Sequence, residues 1–441
     1  SDIFAQKWGF DIVVGNPPYV RQELIEDVAW IIQDKKEYKN LLVDVVNQDW
    51  LDDIKKHKKD ELKIWWRSDL YLYFYFRGLK LLNSQWVFTF ITSNSWLDVD
   101  FGAVLQEFLI KYCPSIKVFD NQIQRSFASA SINTIMCFFD KPIIDTVDTM
   151  TGKAQFVNFN KSYEEAIWAE VMAELDHQTL NKNFESKEIK TGEVIFTKRT
   201  TDELRVIDID AKNLWLDGSE NIGSEWIEVR KYEGNKWGGK FLRAPDVFYI
   251  LLEKWGEKIC KLKDVAEVKR GFTTWVNDFF YLPSKYFNIE RGDNNFYKIT
   301  WKSNNLVFQI EQSFLEPVVK SPKEIEFIKI KKEQLKTYVL LIPDNIDITS
   351  YKVFDYIKWG EERWYNTWST VLWRKKWYSM SENFVNNFVW WQIFNDRFVF
   401  PLSENYFVDC VLNMIWLKKQ DKTEINWMLI SLNSSFFAFI V

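Results

Sequence analysis

Asn16, Pro17, Pro18 and Tyr19 stand together directly behind the apolar run Phe10-Asp11-Ile12-Val13-Val14, with Gly15 at the bend. These residue types suit one kind of chemistry, the alkylation of a weakly nucleophilic amino nitrogen. An exocyclic or amide NH2 has its lone pair delocalised into the ring or carbonyl. Two acceptors aimed at its two hydrogens draw the nitrogen out of conjugation and hold it in line with a methyl donor. The Asn16 side-chain oxygen can be one acceptor. The Pro17 carbonyl can be the other, because proline keeps its C=O while its ring fixes the backbone. Pro18 completes the turn, and Tyr19 adds a flat face for a flipped base. Without that chemistry the same residues are a Pro-rich turn closing a buried strand.

The elements that must position this turn follow from periodicity. Phe10–Val14 reads as a buried strand. Asp69 can cap a helix running to Asn83, with Leu70, Phe74, Leu79 and Leu82 as its apolar positions. Val87–Thr92 reads as a second strand, closed by the polar turn Ser93-Asn94-Ser95. A helix from Asp100 to Tyr112 and strands at Ile116–Phe119 and Ile132–Phe139 follow. The alternation predicts an open, mostly parallel α/β sheet. Ligands of such sheets sit at the C-terminal strand ends, where Asn16-Pro17-Pro18-Tyr19 falls. After Asp140-Lys141-Pro142 the pattern becomes mixed and charged, with a helix predicted at Tyr163–Leu175. A second region, from Lys236, holds the polar turn Arg270-Gly271-Phe272-Thr273-Thr274, the segment Lys320-Ser321-Pro322-Lys323 and many aromatics between lysines.

With 441 residues the chain has room for two or three domains, and 47% apolar and 27% charged content is that of a soluble globular protein. The longest uncharged stretch, Ile425–Val441, carries Asn426, Ser431, Asn433, Ser434 and Ser435, so it reads as core and not as a membrane span. No basic-then-apolar leader is visible at Ser1-Asp2. Cys113, Cys137, Cys260 and Cys410 lie far apart without a C-x-x-C pair, which predicts buried free thiols in a reducing cytoplasm. His57 and His177 are the only histidines, and His57 sits in a lysine run. No metal site is expected. The net charge of −5 leaves a nucleic-acid partner open, since a local basic surface such as Lys320–Lys336 or Arg374-Lys375-Lys376 counts for more than the sum. Those clusters read equally as solvated faces.

The chain has 23 Trp and only 15 Gly, where average glycine usage of about 7% would give roughly 31. Several Trp stand where backbone logic wants glycine. Trp86 follows a predicted helix end, Trp275 interrupts the polar turn Thr273–Asp278, and Trp364, Trp368 and Trp373 punctuate a loop. UGA codons read as glycine in the cell would explain the excess and the shortfall together; the competing reading is a Trp-rich protein. Trp96, Trp237, Trp359 and Trp377 lie in contexts that favour an aromatic residue.

Together these residues resemble the gamma-class adenine-N6 DNA methyltransferases, in particular the TaqI-like and type IIG restriction-modification enzymes. In the first part the resemblance rests on Phe10–Glu23, Ser68–Tyr71, Ile91–Asp98 and Ser126–Thr134. In the second it rests on Lys236–Pro245, Val268–Leu282, Val319–Pro322, Arg374–Tyr378, Asn395–Arg397 and Leu432–Ser434. It implies an α/β fold: a partial Rossmann-like methyltransferase sheet over residues 1–145, a connector over 146–235, and a mixed α/β target-recognition domain over 236–441. The implied donor is S-adenosylmethionine and the implied partner is double-stranded DNA, bound by a monomer. Asn16 and Pro17 would hold the target amino group while Tyr19 and Phe127 stack around the base. Phe74 matches an aromatic that lines the donor's adenine, and Asp69 before it is the second donor-site candidate; as a core position of an amphipathic helix Phe74 needs no such role. Arg270, Thr273, Thr274, Asn277, Lys320, Arg374 and Lys375 are the DNA-contact candidates, and plain turn stabilisation accounts for several equally well.

The family's glycine-rich donor motif lies upstream of the Asn-Pro-Pro-Tyr element, and only nine residues precede the strand here. The expectation is a piece of a longer enzyme, without the main donor pocket and inactive by itself. Two rivals stay open. One is an N-methyltransferase acting on protein glutamine or on RNA, which the large second region counts against. The other is a DNA-binding specificity module without catalysis.

Overall fold

Short connections decide the topology of the main sheet. In the computed structural model, which describes residues 9–29, 31–57, 68–121, 123, 133–144, 150–163, 185–223, 229–256, 258–292, 295–380, 386–391 and 399–434, the chain forms two units, Ser1–Ile259 and Cys260–Val441. The first unit is built on eight strands: β1 (Phe10–Gly15), β2 (Leu82–Ser93), β3 (Ser115–Asn121), β4 (Thr134–Asp140), β5 (Lys153–Phe159), β6 (Glu185–Thr191), β7 (Val194–Thr200) and β8 (Leu204–Asp210), in the order β1-β2-β4-β3-β5-β8-β7-β6. Only β1–β2 and β3–β5 pair in parallel. The other five pairings are antiparallel, so the sheet is mixed and not mostly parallel as the alternation suggested. β6 and β7 are joined by Gly192-Glu193, and β7 and β8 by three residues; links this short cannot carry a strand back to a parallel start. β4 inserts between β2 and β3, antiparallel to both.

Two boundaries differ from the sequence pattern. Residues 153–159 and 185–210 continue the first sheet as β5–β8, where a separate connector was expected. Unit 1 also runs past residue 236 to Ile259. The predicted helix at Tyr163–Leu175 lies outside the described residues beyond its first position.

Period-2 alternation places the core side of the strands. Ile116, Val118 and Asp120 of β3 are buried, as are Ile135, Cys137 and Phe139 of β4. Helix α1 spans Lys35–His57, α2 Leu70–Lys80 and α3 Ala103–Tyr112. The run Leu70-Tyr71-Leu72-Tyr73-Phe74-Tyr75-Phe76 makes α2 apolar nearly all round, and all of these but Leu70 and Phe74 are buried. Tyr75 stands at the centre of the core, against the rings of Phe88, Phe90, Trp96 and Phe139. Its hydroxyl shares a hydrogen bond with Thr92 Oγ1 (2.7 Å) and donates to Cys137 Sγ, so the buried polar atom is satisfied. The helix stops at Lys80, earlier than expected, and β2 begins at Leu82 with a register slip: Phe10 faces Leu82 while Ile12 faces Val87. Trp86 therefore lies in this slip and not at a helix end. β1 itself is an edge strand of the described sheet. Ile12 is 60% and Val14 75% exposed, where a buried strand was expected, because β1 pairs on one side only among the described strands. Cys113 and Cys137 are buried; Cys260 is exposed and Cys410 half-buried, so the expectation of buried thiols holds for two of the four.

The second unit contains three small sheets. β9 (Ala266–Arg270) pairs with β18 (Leu412–Leu417), which pairs in turn with β16 (Phe388–Trp391). β10 (Tyr281–Pro283), β15 (Thr337–Leu340), β14 (Leu315–Val319) and β17 (Phe407–Val408) form the second sheet. The third is β11 (Phe287–Arg291), β12 (Phe296–Trp301) and β13 (Val307–Glu311). A helix, Val353–Glu362, packs Tyr356 and Trp359 on Phe308 of β13. Ile425, Met428 and Leu429 of the helix Lys422–Leu432 pack on a core with Phe388 and Ile415, and Leu432 is buried there. Trp427 and Ile430 of that helix are exposed. Among the described residues no helix is long and apolar enough to cross a membrane, and no group of three His, Cys, Asp or Glu could hold a metal ion.

Candidate active site

The chain leaves the sheet at Gly15. That residue faces Phe90 of β2 so closely that a Cβ would come within 2.7 Å of the ring. Asn16 and Pro18 are then exposed, Pro17 is buried and Tyr19 half-buried. The Tyr19 hydroxyl donates to Asn16 Oδ1 at 2.6 Å and lies 3.1 Å from the Ile91 carbonyl, near the end of β2. Burial pushes the Tyr19 pKa up, which keeps the phenol a proton donor. The turn thus presents a side-chain carbonyl to solvent, steadied by a tyrosine anchored on the neighbouring parallel strand.

Two contacts pin the chain after Tyr19. The Leu70 N–H donates to the Val20 carbonyl (3.0 Å), and the Gln22 N–H donates to Asp69 Oδ1 (3.0 Å). Asp69 occupies the N-cap position of α2 as expected, yet its carboxylate makes no capping bond to its own helix. It holds the loop behind the turn instead. Burial raises its pKa above the ordinary value, and the Gln22 N–H opposes that shift. Phe74 is an exposed ring on α2, so a core role is excluded. Phe127 lies outside the described residues.

Behind the residues that follow β2 lies a polar network with no signal in the local sequence pattern. Gln106 of α3 is buried. Its Nε2 donates to the carbonyls of Trp96, Leu97 and Asn235, and its Oε1 accepts from the Tyr232 hydroxyl and the Asn235 N–H. Asp98 accepts from the Gly239 N–H (2.8 Å) and pairs with Arg243. A Cβ at Gly238 would meet the Arg243 and Asp98 side-chain ends at 2.5 Å, so a larger residue there would push the pair from this position. Trp96 and Trp237, both fully buried, meet edge to face at 5.8 Å. Segments Ile91–Asp98 and Lys236–Pro245 had been placed in different regions. They dock on each other within unit 1, and the opposite charges of Asp98 and Arg243 were the one available signal.

Most DNA-contact candidates of the second unit are engaged internally. Thr274 is buried and its Oγ1 donates to Asn277 Oδ1 (2.5 Å). Arg374 donates from Nη2 to the Thr274 carbonyl (2.8 Å) and from Nη1 to Ser379 O, with its guanidinium 4.9 Å from the Phe280 ring centre. Exposed Arg270 donates from Nε to the Cys410 carbonyl, and Lys320 lies over the Tyr281 ring at 4.0 Å. Thr273 is half-buried. Lys375 is exposed, with Asp344 at 4.0 Å. Arg374 thus ties residues 374–379 to the Thr274 turn, while Arg270 and Lys375 remain at the surface.

An acceptor-bearing turn at the end of a parallel strand pair, in a mixed α/β sheet, is the layout of a ligand-handling α/β enzyme. Residues 1–127 match the family described as Eco57I restriction-modification methylase. The chain is 30% identical over 148 residues to "Type II methyltransferase M.BstVI" of Geobacillus stearothermophilus, an alignment that takes in 32% of this chain and 22% of that protein. Among solved structures, the type IIL restriction-modification enzyme MmeI in complex with DNA aligns over 95% of this chain and 42% of its own, with a TM-score of 0.41 and 11% identity. The type IIG restriction endonuclease BpuSI aligns over 97% and 44%, with a TM-score of 0.37 and 12% identity. The chain spans less than half the length of each of these relatives.

Proposed function

We propose that the chain is part of a site-specific DNA methyltransferase of a restriction-modification system, acting on adenine N6 in double-stranded DNA. The observation that carries this reading is the exposed Asn16 Oδ1, held at 2.6 Å by the Tyr19 hydroxyl at the end of β1. A carbonyl oxygen has two lone pairs, so Asn16 Oδ1 can keep the Tyr19 bond while accepting an N–H from a substrate. The Pro17 carbonyl takes the second N–H. Both acceptors then favour the positive charge that builds on the nitrogen during alkylation. The Tyr19 ring stacks on the extruded base, and Ile91 O keeps that ring placed. S-adenosylmethionine, when bound, supplies an electrophilic methyl group. Phe74 would hold its adenine, and Asp69 positions the loop between Tyr19 and α2. Residues from Cys260 onward would supply contacts to the DNA site.

The test is long-read sequencing of DNA from cells that express the whole gene, beside an Asn16→Ala version. Methyladenine at one motif, lost in the variant, is the expected result. No methyladenine from a soluble, verified protein would overturn the reading and favour a glutamine or RNA substrate, or a binding module without catalysis.

A further inference from the structure

Two tryptophans occupy backbone conformations that their side chains oppose. Trp275 has φ of +64°, and Trp364 has φ of +64° with ψ of +16°. Glycine enters this left-handed region without steric cost, and asparagine tolerates it; a bulky aromatic residue there is an outlier. Six non-glycine positions among the described residues have positive φ. Three are Asn295, Asn305 and Asn405, which leaves Met150 and the two tryptophans.

Trp364 is the stronger of the two. It follows the helix Val353–Glu362, with Arg363 as its C-cap, and its N–H returns to the Glu361 carbonyl at 2.9 Å. That is the bond of a helix stop in which the first residue beyond the cap turns left-handed, and glycine is its usual occupant. The side chain is 71% exposed, so little burial offsets the strain. Trp275 lies inside the turn that the Thr274–Asn277 hydrogen bond closes, and it is 54% exposed. Other tryptophans behave differently. Trp96 and Trp237 are fully buried against each other. Trp359 packs on Trp301, Phe308 and Tyr356, and Trp377 donates its Nε1–H to Glu361. None of these four has positive φ.

We infer that residues 275 and 364 are glycine in the polypeptide made by the native cell, each encoded by a UGA codon that an alternative decoding renders as tryptophan. One codon with two readings accounts for both the surplus of Trp and the deficit of Gly in the composition. The backbone adds an independent criterion for which positions are affected. Trp368 and Trp373 are exposed in the same loop but lack positive φ, so the inference rests on 275 and 364.

Peptide mass spectrometry of the protein isolated from its native cells decides the matter. Trypsin releases Gly271–Lys285 and Trp364–Arg374, one peptide for each position. Glycine at both is the expected result; tryptophan at either overturns the inference. A second measurement uses the chain produced in a standard host, with tryptophan at both positions and as the double variant Trp275→Gly/Trp364→Gly. The variant is expected to unfold at a temperature higher by several degrees. An unchanged or lower midpoint would count against glycine at these positions.

Discussion

The turn after β1 and the turn after β9 are both polar, and both sit at strand ends, yet they spend their polar groups differently. In Asn16–Tyr19 the tyrosine steadies an acceptor that remains at the surface with a lone pair to offer. In Gly271–Asn277 the polar atoms serve the turn. Thr274 and Asn277 bond to each other, and Arg374 arrives from a distant segment to take the Thr274 carbonyl. The first arrangement suits directional chemistry on an incoming group. The second suits a loop held in one shape. A polar turn is therefore weak evidence of a site until its hydrogen bonds have been assigned.

Substitutions can break or sharpen this contrast. The largest effect is expected for Asn16→Ala, which should lower single-turnover methylation by the whole enzyme about 10²- to 10³-fold, as for loss of one polarising group, with an unchanged urea midpoint because the side chain is exposed. Gln106→Leu attacks the buried network behind the residues that follow β2. It leaves the Trp96, Leu97 and Asn235 carbonyls and the Tyr232 hydroxyl without their shared partner, and should cost about 3 kcal/mol in urea unfolding. Thr274→Val, in the second turn, should cost about 1 kcal/mol and leave methylation chemistry untouched. If it instead abolished methylation in single turnover, the contrast between the two turns would fail.

The smallest effect concerns pH. Burial raises the Asp69 carboxyl above 3.8, so the folded state holds its proton more tightly than the unfolded state does. Stability from this group is therefore greatest at low pH, and falls as pH rises through the window just above 3.8. Asp69→Asn keeps an acceptor for the Gln22 N–H and removes the titration. Its urea midpoint should decline less over that window than the parent's, and an identical decline would remove Asp69 as the cause.

How much of this was legible depended on range. The turn Asn16–Tyr19, the strand before it and the helices 70–80 and 103–112 follow from local period and punctuation, and their types agree with the structure. Sheet order does not, because pairing of β4 between β2 and β3 is a long-range choice that no local pattern encodes. The exposure of Ile12 and Val14 was hidden for the same reason, since an apolar run reads alike at an edge and in the middle. Gln106 was invisible: a glutamine on a helix reads as surface until partners 129 residues away are brought to it. Asp69 was placed at the right helix end, but the group it holds lies in another loop.

The clasp of Asp98 with Gly239 and Arg243 bears on where the chain could be divided and rejoined to a related one. A graft joined at residue 236 would carry Gly239, Arg243 and Trp237 away with the donor half and strip Asp98 and Trp96 of their mates. A seam after Ile259 keeps these couples in one parental lineage, so hybrids cut there should inherit an intact first unit whatever second unit they receive.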